Sequence, residues 1–489
     1  MRRLALALAL LLFAAGPATG QAAATPASWV DSIFAPFNKS GVPGCAVGVV
    51  QKGALTYSRG YGSADLRRKI PNTTASAFYL ASLSKQFTAM SVVLLAQDGK
   101  LKLDDDIRRW VPEVPILGHI TILDLLHHTS GLRDYYTLLG ISGWRANELF
   151  TEQKLLDLVS RQRALNFKPG TEFLYNNTGY ALLAVVVRRA SGQSLRDFAA
   201  ARIFKPLGMS RTQFRDDHSS VIDGEAIGYR QQAGGYAVSI PQLDVVGDGG
   251  VFSTVEDFAR WDANLDSGLV GGAAGVAMLQ SPGQLDGGRI TGYALGLNIG
   301  SYNGSRLVSH SGSYGGYQST YLRFPDDHLS VITLCNVATS SASLAEQVAS
   351  LYMPQAYAIG DGGPGVLASF FGSPSMPRAA SAEVAEISDI QKPDEQVWLE
   401  GRYYSGELDM EVTLRSRNAM LVMERPVGDS LGFSRVARDL FISSDQVTLQ
   451  VERDGAGAVS SFLLSAGRVR GLKFVKRTGI VGLTTGSMW

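Results

Sequence analysis

Cysteine is nearly absent: the 489 residues include two, Cys45 and Cys335. Two in so long a chain exclude a disulfide-stapled scaffold, and no Cys/His cluster with metal-ligand spacing accompanies them. Each sits in a strand-like apolar run, so both are expected to be buried free thiols. An excess of one charge is absent too. Lys plus Arg number 45 and Asp plus Glu 44, which excludes a basic field for nucleic acid or anionic lipid. Beyond the N-terminus no apolar stretch reaches the ~20 residues that a bilayer span requires. There is no fixed-period repeat, and no cofactor or metal is expected.

Hydrophobic residues make up 45% and charged residues 18%, the balance of a globular chain with a large core. The length calls for two or more domains. Residues 1–20 read as a cleaved secretory leader: Arg2 and Arg3, an apolar run, and the small-x-small site Ala18-Thr19-Gly20. The mature protein is therefore expected in the periplasm or medium, without a membrane anchor once the leader is removed.

Two strands are expected at 44–50 and 55–61 around a Lys52-Gly53 turn. A long apolar helix follows at 82–97, ended by Gly99. The next stretch is mostly helical in pattern, with helices at 122–127, 152–162, 178–189 and 195–203. Thr254-Val255-Glu256-Asp257 carries a pattern close to a capping box. Strands return at 293–299, 306–310, 318–324 and 329–334, and a helix at 341–351 closes the unit. This order implies an α/β (α+β) domain over 25–354, in which the first and last segments share a sheet and a helical subdomain packs beside it. Residues 355–394 have the Gly/Pro/Ser composition of a linker. Residues 395–489 form a small antiparallel β domain, a barrel or sandwich, by their period-two alternation.

The chemistry-bearing residues fall in three places. Ser82-Leu83-Ser84-Lys85 is the only Ser-x-x-Lys in the chain. Three-residue spacing puts both side chains on one helix face, where the amine can take the proton of a serine hydroxyl that is otherwise a poor nucleophile. The helix N-terminus adds free N–H groups and a positive dipole end that favour a neutral lysine. Tyr175-Asn176-Asn177 is the only Tyr-x-Asn. A tyrosine near cations can relay a proton, and an asparagine can accept from Lys85 and donate to a substrate carbonyl. His310-Ser311-Gly312-Ser313 ends a strand. There Gly312 lets a backbone approach closely, and the Ser313 N–H pairs with that of Ser82 as an oxyanion hole.

The three elements, in this order, resemble the serine β-lactamase and DD-peptidase superfamily. The class C β-lactamase-like branch is the nearest, on its Tyr-x-Asn motif and on Leu125-Leu126-His127-His128-Thr129-Ser130-Gly131-Leu132 and Gly249-Gly250-Val251-Phe252-Ser253-Thr254. The β-rich tail resembles the lipocalin-like domain that follows the catalytic domain in some members. The resemblance implies that Ser82 is acylated with Lys85 as base, that Tyr175 is general acid or base, and that Asn177 positions substrate. It departs from the superfamily at His310, which stands where β-lactamases and carboxypeptidases carry the lysine of Lys-Thr-Gly. A histidine is mostly neutral at pH 7, so substrate recognition at His310 is expected to favour esters or peptides over β-lactams and to gain carboxylate preference below pH ~6.5.

Gly428-Asp429-Ser430-Leu431-Gly432 imitates a nucleophile elbow but lacks the strand-to-helix context. Asp104-Asp105-Asp106 reads as a helix cap and His127-His128 lacks metal-site partners. The expected function is acyl transfer to water on a small-molecule or peptide substrate, cell-wall-derived peptides included, of D-aminopeptidase, D-Ala carboxypeptidase or esterase type. A dedicated β-lactamase and a non-catalytic cell-wall sensor are the alternatives. The oligomeric state stays open.

Overall fold

The computed structural model describes residues 26–145, 147–353, 397–418 and 420–477. The leader at 1–20 and the linker at 355–394 lie outside the described residues. Six antiparallel strands form the main sheet, in the spatial order Asn298–Tyr302, Ser305–Tyr314, Tyr317–Phe324, Leu329–Cys335, Cys45–Gln51 and Ala54–Tyr61. The N-terminal hairpin thus completes a sheet begun by the C-terminal half of the domain. Its turn places Lys52 and Gly53 at φ 50° and 76°, the left-handed pair that a two-residue hairpin loop requires.

Strand residues alternate between two apolar layers. On one face Val47, Val49 and Val331 meet Val30 and Val348 of the helices Pro26–Phe34 and Ser341–Tyr352. On the other, Ala46, Tyr321 and Ile332 pack toward Phe258 and Trp261 of helix Val255–Ser267 and toward helix Lys85–Gln97. That last helix is buried on every side from Lys85 to Leu95, so it is a core element rather than an amphipathic surface helix. Helix Asn177–Ser191 lies against it. Thr254 caps its own helix by accepting from Asp257 N at 3.1 Å.

Two expectations are corrected. Cys45 and Cys335 are not free thiols: they are register partners on neighbouring strands and are bonded to each other. Their 290-residue separation concealed a pairing that only the sheet order creates. The expected strand at 293–299 begins instead at Asn298. Gly292 and Gly296 hold φ of 75° and 78°, and these left-handed turns break the extended run. At Gly296 an added Cβ would lie 2.6 Å from Gln86 N, so the loop presses on the first turn of the buried helix and needs glycine there.

The tail is a closed barrel of eight strands in sequential order, from Gly401–Ser405 to Val469–Lys476, sealed by pairing of Tyr403 with Lys476. Its interior is filled by side chains such as Leu414, Leu421, Phe433, Phe462 and Phe474. It docks on the catalytic domain through polar contacts. Arg133 and Glu407 form a buried ion pair, and Arg133 also donates to the carbonyls of Arg470 and Gly471. Asn166 clamps the turn of the last hairpin by donating to Arg468 O and accepting from Arg470 N. Among the described residues no helix is long and apolar enough to cross a membrane.

Candidate active site

Ser82 sits on the 3-10 turn Ala81–Ser84 that leads into helix Lys85–Gln97. The preceding Ala81 has φ 47°, a left-handed conformation that costs an L-residue roughly 1–2 kcal/mol. This turn aims the half-buried Ser82 at a cavity of 210 Å³, also lined by Tyr79, Tyr136, Tyr175, Asn177, Asp248, Ser313, Tyr314 and Arg468. Gly312 makes room for the turn: a Cβ there would lie 2.1 Å from Leu80 O and 2.9 Å from Ser82 N. Its missing side chain therefore serves the nucleophile's own backbone, where the sequence suggested space for a substrate chain. Ser313, the next residue, is exposed and lines the cavity.

Lys85 is fully buried, and its Nζ lies 3.1 Å from Ser82 Oγ, 2.9 Å from Asn177 Oδ1 and 2.7 Å from Asp248 O. A neutral amine has two hydrogens and one lone pair. With the hydrogens on the two carbonyl oxygens, the lone pair faces the serine hydroxyl. Burial holds the Lys85 ammonium well below the usual lysine range; nearby Asp248 opposes this and Arg468 adds to it. The tyrosine faces of Tyr175 and Tyr180, 4.9 and 5.6 Å from Nζ, soften the cost of any charge that forms.

Asn177 is oriented by a residue that the sequence did not single out. Asp134 Oδ2 accepts from Asn177 N at 2.7 Å and from Nδ2 at 3.0 Å, which turns the amide oxygen toward Lys85. Asp134 is itself fixed as the cap of helix Tyr135–Ser142, accepting from Thr137 N at 3.1 Å. The Tyr175 ring rests on His128 and Tyr293, with centroids at 4.3 and 5.9 Å. Its hydroxyl is close enough to sense Ser82 but makes no hydrogen bond of ordinary length. Burial raises the Tyr175 phenol above its usual range and outweighs the lowering by Ser82 and Arg468. The resting residue is thus a neutral donor, not the readily ionised group suggested by neighbouring cations.

His310 is not where a substrate can reach it. The residue is fully buried, with Nδ1 2.6 Å from Ser311 O and Nε2 3.0 Å from Tyr293 Oη. These partners fit a neutral ring that donates from Nδ1 and accepts at Nε2. Burial, helped by the Lys85 charge, pushes its pKa down to about 3. The carboxylate-attracting imidazolium expected near pH 6.5 does not form, and the ring instead packs under Tyr175 at 6.0 Å.

Two further cavity residues escaped the sequence reading. Arg468, on the last turn of the barrel, lies 5.0 Å from the Tyr175 ring and 3.6 Å from Asp134. Asp248 lies in the loop Gly247-Asp248-Gly249-Gly250, brought close by glycine: a Cβ on Gly247 would lie 2.3 Å from Tyr180 O. Burial lifts the Asp248 carboxyl above the usual range against the pull of Lys85. Larger clefts, such as one of 720 Å³ on the barrel flank, hold no serine–lysine pair. Ser430 directly precedes the strand Leu431–Ala437, in the loop that follows strand Met420–Glu424, with no helix after it. Asp106 caps the short helix Ile107–Arg109.

Comparison with known proteins places this arrangement. The family model described as beta-lactamase matches residues 30–351. Penicillin-binding protein 4* of Bacillus subtilis is 35% identical over 299 residues, which span 58% of this chain and 66%, just under two thirds, of that relative. A D-aminopeptidase of Cereibacter sphaeroides is 25% identical over 499 residues, covering 89% of this chain and 96% of the relative. The octameric penicillin-binding protein homologue from Pyrococcus abyssi superposes with a TM-score of 0.56 at 22% identity, over 92% of this chain and 99% of its own, so the likeness of fold includes the barrel.

Proposed function

The chain belongs to the beta-lactamase family and is a serine hydrolase, and from that premise we propose that it cleaves short D-amino-acid peptides or amides through an acyl-enzyme on Ser82. The observation that carries this is Lys85 Nζ, buried and suspended between Ser82 Oγ and two carbonyl oxygens. The similarity over most of the chain to a D-aminopeptidase supports the D-aminoacyl substrate.

In this reading Lys85 takes the Ser82 proton as Oγ adds to the substrate carbonyl carbon. The oxyanion lies against the backbone N–H groups of Ser82 and Ser313. The proton returns to the departing amine through Lys85 or Tyr175, and the C–N bond breaks to leave an ester on Ser82. Water then adds to that ester, losing its proton to neutral Lys85, and the acid leaves as Oγ is reprotonated. Asp134 keeps Asn177 turned toward Lys85 throughout, a positioning role.

The leader-like N-terminus and the Cys45–Cys335 bond support a site of action outside the cytoplasm. Arg468 favours a second substrate feature, a carboxylate, because its guanidinium is a fixed positive charge lining the cavity, whereas His310 is buried outside it. Turnover of D-alanine p-nitroanilide, D-amino-acid amides, D-Ala-D-Ala peptides, nitrophenyl esters and nitrocefin tests the reading. D-aminoacyl amides should lead the panel, and a kcat/KM for nitrocefin above all of them would favour a β-lactamase.

A further inference from the structure

Asp248 holds a carboxylate that the acyl-transfer steps leave unused. Its main chain is fixed one hydrogen bond from the base, because Lys85 Nζ donates to Asp248 O at 2.7 Å. Its side chain accepts from Tyr135 Oη at 3.1 Å. Among the described residues it forms no ion pair. Arg468 lines the same cavity but pairs with Asp134, and Lys85 contacts only the Asp248 carbonyl. Around the acid stand the rings of Tyr79, Tyr136 and Tyr314, each lining the cavity, with Tyr314 6.3 and 5.5 Å from the other two. The Tyr314 hydroxyl is buried and has no hydrogen-bond partner.

A buried carboxylate without a cation is electrostatically incomplete, and removing it from water is costly unless an opposite charge arrives. Tyrosine faces carry the negative side of a quadrupole and attract ammonium groups. Acid and rings together therefore suit one ligand chemistry, a small organic cation. The lysine that binds the Asp248 carbonyl also binds Ser82 Oγ at 3.1 Å, so this acid sits beside the reacting carbonyl and not at a remote subsite. An α-ammonium is one carbon removed from the carbonyl of its own residue.

We propose that Asp248, with Tyr79, Tyr136 and Tyr314, seats the free α-ammonium of the residue whose carbonyl Ser82 attacks. The proposal rests on the aminoacyl reading given above and assigns its specificity to these four residues. It makes the enzyme selective for an unblocked amine: an N-acyl group carries no charge to pair with Asp248 and adds bulk to a cavity of 210 Å³.

The test uses the full chain and two methyl esters, of D-alanine and D-phenylalanine, each with a free or an N-acetylated amine. The wild type should prefer the free amines. Asp248→Asn, which keeps the backbone carbonyl and the Tyr135 contact, should raise KM for the free-amine esters by about tenfold or more, as expected when a charged hydrogen bond is lost. The N-acetyl esters should show only the change in Lys85 that both ester types share, so the ratio of KM for free-amine to N-acetyl esters should rise by about tenfold. Equal losses on both would overturn the proposal and make Asp248 a positioning residue acting through Lys85. A wild type indifferent to the amine would overturn it too. Should Asp248→Asn fail to fold, ethylammonium chloride should inhibit the wild type competitively against the free-amine esters where ethanol does not; absence of competition would overturn the proposal. Amides of the same residues separate this from the broader reading. Amine preference on esters without amide turnover would sustain the seat and defeat the peptidase assignment.

Discussion

The Arg468 guanidinium lies 5.0 Å from the ring of Tyr175, although the two residues belong to different domains. The barrel is thus a contributor to the catalytic cavity, through a hairpin turn held by Asn166 and Arg133 on the catalytic side. Its charge lines the same cavity as Ser82.

Arg468→Ala should therefore act on substrate choice. For peptides with a free carboxylate, kcat/KM should fall by roughly tenfold or more, the loss of a hydrogen bond between charged groups. Nitrophenyl acetate should change only a few-fold. Parallel steady-state assays decide: an equal fall on both would mean that Arg468 acts on Tyr175 or on folding and not on the substrate.

Lys85 must be unprotonated to accept the Ser82 proton, so activity rises with pH along a limb set by the amine. Burial lowers that group, and the limb of kcat/KM should be centred well below the ~10.4 of a free lysine. Because Asp248 opposes the lowering, Asp248→Asn should move the limb to still lower pH. A limb near the free-lysine value, or a shift upward in the variant, would contradict the assignment.

His310 gives the opposite kind of test. Its pKa of about 3 keeps it neutral between pH 5 and 8. Any inflection near pH 6 in the ratio of activity on carboxylate-bearing and neutral substrates should accordingly come from Asp248, which burial lifts to about 6, and persist in His310→Gln. An inflection lost in His310→Gln but kept in Asp248→Asn would restore His310 as a recognition residue.

The cystine links the neighbouring inner strands Cys45–Gln51 and Leu329–Cys335, the first and last of the sheet in chain order. Cys45→Ser with Cys335→Ser, or a reductant, should destabilise the catalytic domain by ~2–5 kcal/mol, read as a lowered Tm by calorimetry. An unchanged Tm would show that the thiols are not bonded in the working protein.

Much of this site was legible because its chemistry is local. Ser82 and Lys85 share a helix face at fixed spacing, and Tyr175 and Asn177 are two residues apart. The antiparallel sheet, the helical block and the β tail followed from periodicity. What escaped depends on distant segments. Asp134 and Asp248 sit in loops whose neighbours only the fold supplies, and Arg468 lies in the other domain. The resemblance puts His310 in the place of a lysine, but nothing in the sequence shows that the ring is sealed under Tyr175. Cys45 and Cys335 read as isolated thiols because strand order, not spacing, makes them partners.

The central claim is that Ser82, activated by Lys85, is the acylated residue. Intact-mass and peptide-mass analysis after a fluorophosphonate or labelled penicillin tests it most directly. One adduct on the peptide bearing Ser82, formed by the wild type and lost or greatly slowed in Lys85→Met, is the predicted result. An adduct on Ser430 or Ser313, or labelling of Ser82 as fast without Lys85, would contradict the account.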